Sequence, residues 1–509
     1  MFIKLLFLAL FTAIMLGVGL YSRRKIKTQQ DFLFGGRQMG PWLTAFAYGT
    51  TYFSAVIMIG YAGKTGWGFG LSATWIGVGN ALVGCLLSWL VLAKRTRKMT
   101  QDLNASTMPS FFEKRYDSKA IKIAASIIIF VFLVPYSASV YQGLSYLIVT
   151  TIAEPLYELT GIYVSFEAVM LIMAVLTGAY LILGGYVATA INDFIQGIIM
   201  LAGMITVVLF IVNSDFVGGL GEGVSRLSQI PDVGESLVKP FSSNPIGLLS
   251  LVILTSFGTW GLPQMVHKFY AIKDNDAIKK ATIVSTVFAV VISCGAYFVG
   301  GFGRLFVTEA EIAGDLDKIV PIMFQKALPD YVIGLVIVLV LSASMSTLSS
   351  LVLVSSSSIS LDIIKGTLFP KMKEKSAILL MRTLCVVFVI TSFVVAMVPS
   401  PIMTLMAISW GTVAGSFLAP FLYGLYWKGT TKAGAWAGII TGFVCSVGGA
   451  IIFGTKNSPT IGAVAMLASL IAVPVVSSLT PKFSQKHIDM VFKEASADDK
   501  EGIPAKMAG

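Results

Sequence analysis

Apolar runs long enough to cross about 30 Å of hydrocarbon recur along the whole chain, parted by short stretches where Lys, Arg, Asp, Gly and Pro collect. They lie at about 2–20, 40–63, 70–93, 120–149, 163–184, 189–213, 246–267, 281–303, 331–357, 377–397, 402–426, 433–454 and 460–479, which predicts about thirteen membrane helices. The expected fold class is therefore all-α integral membrane, with one transmembrane domain over 1–480 and a short polar tail over 481–509. Within the ninth of these segments, 331–357, the pattern changes in character: Leu341-Ser342-Ala343-Ser344-Met345-Ser346-Thr347-Leu348-Ser349-Ser350 packs hydroxyls into an uncharged run. On a helix, Ala343, Ser346 and Thr347 share a face at i, i+3 and i+4, and Ser349 and Ser350 continue it. Such hydroxyls either bond back to carbonyls of their own helix and form a packing seam, or present oxygens to a hard cation.

Two runs are poor continuous helices. Gly49-Thr50-Thr51-Tyr52-Phe53 weakens the second span, and a break near Thr50 to Phe53 is expected. Gly258-Thr259-Trp260-Gly261-Leu262-Pro263 disrupts the seventh, because Pro263 removes a donor. Interrupted helices at matching places in two halves point to a secondary transporter with inverted repeats, here about 40–213 and 246–426, and a site between them. Simple kinks with a packing role are the alternative. Asp193, in Asn192-Asp193-Phe194-Ile195-Gln196-Gly197, is a carboxylate near the start of a membrane helix. It reads either as a boundary carboxylate or as a cation ligand working with Ser349 and Ser350.

Composition narrows the function classes. The 509 residues are 56% hydrophobic and 12% charged, against about 25% charged for soluble domains. The net charge of +11 is spread over loops, so it speaks for a membrane and not for nucleic acid. The basic loops fall on one side: the cluster Arg23, Arg24, Lys25 and Lys27, then Lys94 to Lys119, Lys268 to Lys280, Lys365 to Lys375, and the tail from Lys482. The positive-inside rule makes that side cytoplasmic, which puts the N-terminus outside and the C-terminus inside a plasma-membrane protein. The first run has its basic cluster after it and no small-residue cleavage pattern, so an uncleaved helix is expected. Four cysteines without metal spacing and two histidines leave no zinc site or disulfide framework in view. No phosphate-binding GxxxxGK[ST] loop, HExxH or paired carboxylates occur, so neither ATP drive nor an enzyme is expected, and no organic cofactor.

Taken together, Tyr52-Phe53-Ser54-Ala55 through Gly60-Tyr61-Ala62-Gly63, Gly184-Gly185 with Asn192-Asp193 and Gln196-Gly197, Gly261-Leu262-Pro263, and Met345-Ser346-Thr347 resemble the sodium:solute symporter family over nearly the whole chain. The resemblance implies a LeuT-like fold, with one helix before a ten-helix core and two after it. It implies a sodium site made by the carbonyls of Thr50, Phe53 and Ala343 and the side chains of Ser346 and Thr347. It allows a second sodium at Asp193, Ser349 and Ser350. Many members have Thr where this chain has Asn192, and Asn is the residue seen there in pantothenate-type members.

The solute is expected beside the two breaks, near Thr51, Ser54, Tyr136, Tyr141, Gln142, Thr259 and Trp260. Val56, Thr255 and Thr259 occupy places where proline carriers of the family are expected to have aromatic gates, which weakens a proline reading. Val56-Ile57-Met58-Ile59 offers none of the polar groups a sugar needs. A monocarboxylate, a pantothenate-like acid or an amino acid fits better, its carboxylate received by a broken-helix N-terminus. Lys64 reads as a boundary lysine or as a group that steers an anion inward. The expected partners are thus a small organic solute, sodium and lipid, with the chain working as a monomer. Sodium-coupled symport is the reading these features favour. A solute sensor, which would need a signalling partner, and a channel are the rival classes.

Overall fold

The computed structural model describes residues 2–22, 33 and 37–492. Among these the chain is helical throughout, and its single β-bridge, Met39 to Ile272, joins two loops. The framework runs through α1 (Phe2–Ser22), α2 (Pro41–Tyr52), α3 (Lys119–Ile148), α4 (Phe166–Val212), α5 (Pro245–Gly261), α6 (Pro263–Ala271), α7 (Asn275–Ala289), α8 (Asp330–Ser357), α9 (Ile402–Tyr426), α10 (Lys432–Phe453) and α11 (Ser458–Leu479). Nine helical runs among the described residues are long and apolar enough to span a bilayer, ten with the bent pair α5 and α6 counted as one. The expected division into thirteen is redrawn in two places. Val56–Asp102 is one run containing the end of the second expected span and all of the third, turned at Gly70 where φ is +60°. The expected fifth and sixth spans share the helix α4. Hydropathy measures how apolar a segment is, not where its backbone bends.

Both expected interruptions are present. α2 ends at Tyr52, and Phe53 takes an extended conformation (φ −107°, ψ 107°) before helical turns resume at Val56. The backbone N–H of Phe53 still donates to Gly49 O at 3.2 Å, and Ser54 Oγ accepts the N–H of Val56 at 3.2 Å. In the other half, α5 and α6 meet at Leu262 (φ −83°, ψ 120°) with a bend of 45°. Pro263 at the first position of α6 sets this break, since it has no N–H to continue the ladder. Gly261 permits it, because a Cβ there would meet Leu418 N of α9 at 2.7 Å.

The two broken helices are tied to each other. Met39 N donates to Ala271 O and Lys273 N to Met39 O, both at 3.1 Å, so the start of α2 and the end of α6 move as a pair. Further along, Tyr52 Oη donates to Thr255 O at 2.7 Å. α8 lies at the centre: 94% of its apolar stretch is buried, against 22% for α10, whose large exposed side chains such as Ile440 and Val444 suit contact with lipid. A hydroxyl-rich helix survives in that centre because neighbouring carbonyls replace water.

Backbone proximity also fixes the wall beside the first break, where Ala62–Phe69 crosses Gly295–Gly301. A Cβ on Gly66 would strike the Gly300 carbonyl, and one on Gly300 would strike the carbonyl of Ala62. Gly300→Ala is expected to force these helices apart and destabilise the protein by about 1–3 kcal/mol. Thermal unfolding of the purified protein in detergent checks this, and an unchanged midpoint would refute it.

Candidate functional site

The hydroxyl face of α8 points at the first break. Ser346 Oγ donates to Thr50 O at 2.8 Å and lies 3.1 Å from Ala343 O. Thr347 Oγ1 lies 3.3 Å from Thr50 O, 3.2 Å from Thr51 O and 3.0 Å from Ala343 O. Two alcohols and three carbonyls, all buried, therefore converge where α2 loses its ladder. Phe53 stands at the break itself, stacked on Tyr52 at 4.3 Å between centroids. The donor set is entirely hard oxygen, which suits an alkali cation better than a soft or transition metal. No cluster of three His, Cys, Asp or Glu that could hold a metal occurs among the described residues.

Other hydroxyls of the ladder behave as a packing seam would have them. Ser344 donates to Val340 O at 2.7 Å and Ser349 to Ser346 O at 2.9 Å, both within α8. Ser349 thus turns along its own helix.

Below the break, towards the basic loops, Asp193 is fully buried on α4. Its neighbour is a residue that the sequence reading assigns to a loop. Lys268 Nζ lies 3.8 Å from Asp193 Oδ2 and donates to Ser350 Oγ at 3.0 Å. Ser350 Oγ is in turn 3.0 Å from Thr51 Oγ1. The Tyr186 ring lies under the ammonium at 5.3 Å. Lys268 is buried because α6 continues past the expected end of its span to Ala271, carrying the last turn into the interior. Lys268 was missed because a lysine next to a polar loop looks solvated. The signal was its place one turn after Pro263, on a helix that restarts inside the membrane.

The expected solute residues scatter. Thr51 belongs to the polar chain with Ser350, and Ser54 caps the restarted helix. Thr259 Oγ1 donates to Gly84 O and Ser256 O, both at 2.9 Å, and Trp260 Nε1 to Val83 O at 3.0 Å, so both face the third expected span. Gln142 Nε2 donates to Ala396 O at 3.0 Å and Val398 O at 3.2 Å and lines a cavity open at the less basic end. Tyr141 is buried nearby on α3. Tyr136 remains beside the break, edge-on to Trp410 of α9 at 5.7 Å, and Trp410 stacks on Tyr52 at 6.2 Å. Tyr136 Oη and Trp410 Nε1 are buried and make no hydrogen bond among the described residues, which leaves two donors for a polar guest. Trp410, one of eight tryptophans in the chain, was not singled out from the sequence, where it lies in an uncharged run.

The cavity at the less basic end measures about 1020 Å³ and is lined by Lys64, Gln142, Tyr146, Asp315, Asp317 and Thr404 among others. Asp317 Oδ2 accepts the N–H of Ile402 at the start of α9 at 3.1 Å. Burial pushes its carboxyl up to about 6, helped by the charge of Asp315 and opposed by the Ile402 bond and Lys64.

The arrangement has the interrupted helices and hard-oxygen cage of a cation-coupled secondary transporter. The sodium:solute symporter family model matches residues 32–442, and the chain belongs to that family. It is 29% identical over 444 residues to "Sodium/proline symporter 2" of Staphylococcus saprophyticus, covering 85% of this chain and 83% of that one. It is 30% identical over 449 residues to "Sodium/proline symporter" of Staphylococcus aureus, covering 86% and 83%. Among solved structures, a sodium-coupled sialic acid symporter in a substrate-bound outward-open state superposes with a TM-score of 0.77 at 19% identity, over 95% of this chain and 99% of that one. A nucleobase-cation-symport-1 family transporter superposes at 0.54 and 14% identity, over 90% and 97%.

Asp317 supplies a pH test. Its folded-state value lies above the ordinary 3.8, so the folded protein holds this proton more tightly than the unfolded chain. The stabilisation is complete below 3.8 and is lost as pH rises to about 6, a fall of about 3 kcal/mol from this group. Asp317→Asn keeps an acceptor for Ile402 N–H and should flatten the unfolding midpoint between about pH 4 and 6. Parallel profiles for variant and parent would refute the assignment.

Proposed function

We propose that this protein imports a small organic solute together with sodium across the plasma membrane by alternating access. The observation that carries the reading is the convergence of Ser346 Oγ and Thr347 Oγ1 on the carbonyls of Thr50 and Ala343 at the break. Those carbonyls, with that of Phe53, are the proposed ligands, and the two alcohols turn their lone pairs to the ion when it binds. Sodium then joins α8 to the first broken helix, and its departure lets them part. Ion and solute share that interface, so each raises the affinity of the other by the same factor. The inward drive is the sodium gradient plus about 2.3 kcal/mol per charge per 100 mV of membrane potential.

The orientation proposed is N-terminus outside and C-terminus inside, from the basic loops, with the 1020 Å³ cavity facing outward. Solute is proposed to rest between Tyr136, Trp410 and the first break. An amino acid or small carboxylic acid suits two aromatic faces with two free donors, Tyr136 Oη and Trp410 Nε1. L-proline is the first solute to try, because the relatives are named sodium/proline symporters. Non-aromatic residues at Val56, Thr255 and Thr259 keep monocarboxylates and pantothenate-like acids beside it.

Uptake of labelled L-proline and of a panel of small acids into proteoliposomes tests the reading, with an imposed sodium gradient expected to be required. Equal uptake in potassium or choline would overturn it. Ser346→Ala and Thr347→Ala should each raise the half-saturating sodium concentration roughly tenfold or more, as expected for a lost ligand to a charge. Unchanged sodium dependence in both would remove the site. Trp410→Phe keeps the ring and deletes one donor, so the half-saturating solute concentration should rise about fivefold while that of sodium changes little.

A further inference from the structure

We infer that the Lys268 ammonium is a resident cation that fills the place of a second sodium beside Asp193, so that the protein binds one sodium per cycle. The inference rests on the sodium site proposed above and concerns its stoichiometry. Asp193 is a carboxylate with no exposure, and a charge so placed persists only with a partner. The partner present is Lys268 Nζ at 3.8 Å, itself buried. Its second contact, Ser350 Oγ at 3.0 Å, is another member of the oxygen set that the family resemblance offers to a second sodium. The third member, Ser349, spends its proton on Ser346 O within α8. The ammonium therefore hydrogen-bonds one of the three groups that would otherwise call for an ion and faces a second, the Asp193 carboxylate, as its opposite charge across 3.8 Å, with neither carboxylate oxygen in a hydrogen bond among the described residues.

Charge accounts for the rest. One carboxylate balances one cation, and a sodium placed between Asp193 and Ser350 would stand against the ammonium in a buried setting where like charges repel strongly. The ammonium is also wired to the sodium cage proposed at the break. Lys268 donates to Ser350, Ser350 shares a hydrogen bond with Thr51 Oγ1, and the Thr51 carbonyl accepts from Thr347 Oγ1 at 3.2 Å. A lysine on α6 thereby links the second broken helix to α4 and α8 as a bound ion would. Being covalently held, it draws nothing from the sodium gradient.

The test counts ions with sodium alone as probe, by equilibrium dialysis of radiosodium against the purified full-length protein. One sodium per chain is expected. Lys268→Met removes the charge while keeping an unbranched chain, and should raise the count to two as sodium replaces the ammonium. Adding Asp193→Asn to that variant should return it to one, and Lys268→Arg should stay at one. A merely structural ion pair would change stability in these variants but not the count. Should Lys268→Met not fold, Asp193→Asn alone decides: a count still at one supports the inference, and the loss of an ion overturns it. Two sodium ions in the parent, or one in folded Lys268→Met, would also overturn it. No bound sodium in the parent would instead remove the site at Ser346 and Thr347 on which the count depends.

Discussion

A helix that stops inside hydrocarbon leaves backbone carbonyls without partners, and there is no water to take them up. At the first break of this protein those carbonyls belong to Thr50, Thr51 and their neighbours, and the alcohols of Ser346 and Thr347 answer them. Much of the surrounding architecture follows from that constraint. The central position of α8 brings its hydroxyls to the break, the small residues between Ala62–Phe69 and Gly295–Gly301 let backbones close around it, and the tie from Met39 to Ala271 holds the second broken helix alongside. Carbonyls and alcohols that satisfy one another across a single interface can instead turn to a cation. The packing seam and the proposed ion site thus draw on the same atoms.

The same constraint organises the charged groups. Asp193 and Lys268 come from different repeats and are both buried, and they meet through Ser350 next to Thr51. Burying two charges is costly, and the pair sits where α4 of the first half meets α6 of the second. At the opposite end, Asp317 caps the start of α9 with a carboxylate in a partly dry setting, so the wide cavity has an ionisable group set into its wall.

The chain's place in the sodium:solute symporter family and the fold it shares with the sialic acid symporter agree with sequence features that are short-range or one-dimensional. Gly49 to Phe53 and Gly258 to Pro263 marked both breaks within a few residues, because glycine and proline act on their own backbone. The face formed by Ala343, Ser346 and Thr347 was legible too, since a helix fixes the bearing of i, i+3 and i+4. Substrate identity was less legible: the residues at Val56, Thr255 and Thr259 spoke against proline, whereas the relatives at 29% and 30% identity bear its name.

By itself, then, the sequence determined that the chain lies in a membrane, where its helices falter and which oxygens share a face, all of which depend on local backbone preference and the transfer energy of a segment. Only the tertiary structure decided which carbonyls those oxygens meet, that Lys268 leaves the loop to face Asp193, that Trp410 and not Trp260 stands beside the first break, and that Ser349 turns back on its own helix. The reason is physical: a side chain's partner in a helical membrane protein is set by the rotation and crossing of separate helices, and every apolar stretch reads alike until those helices pack.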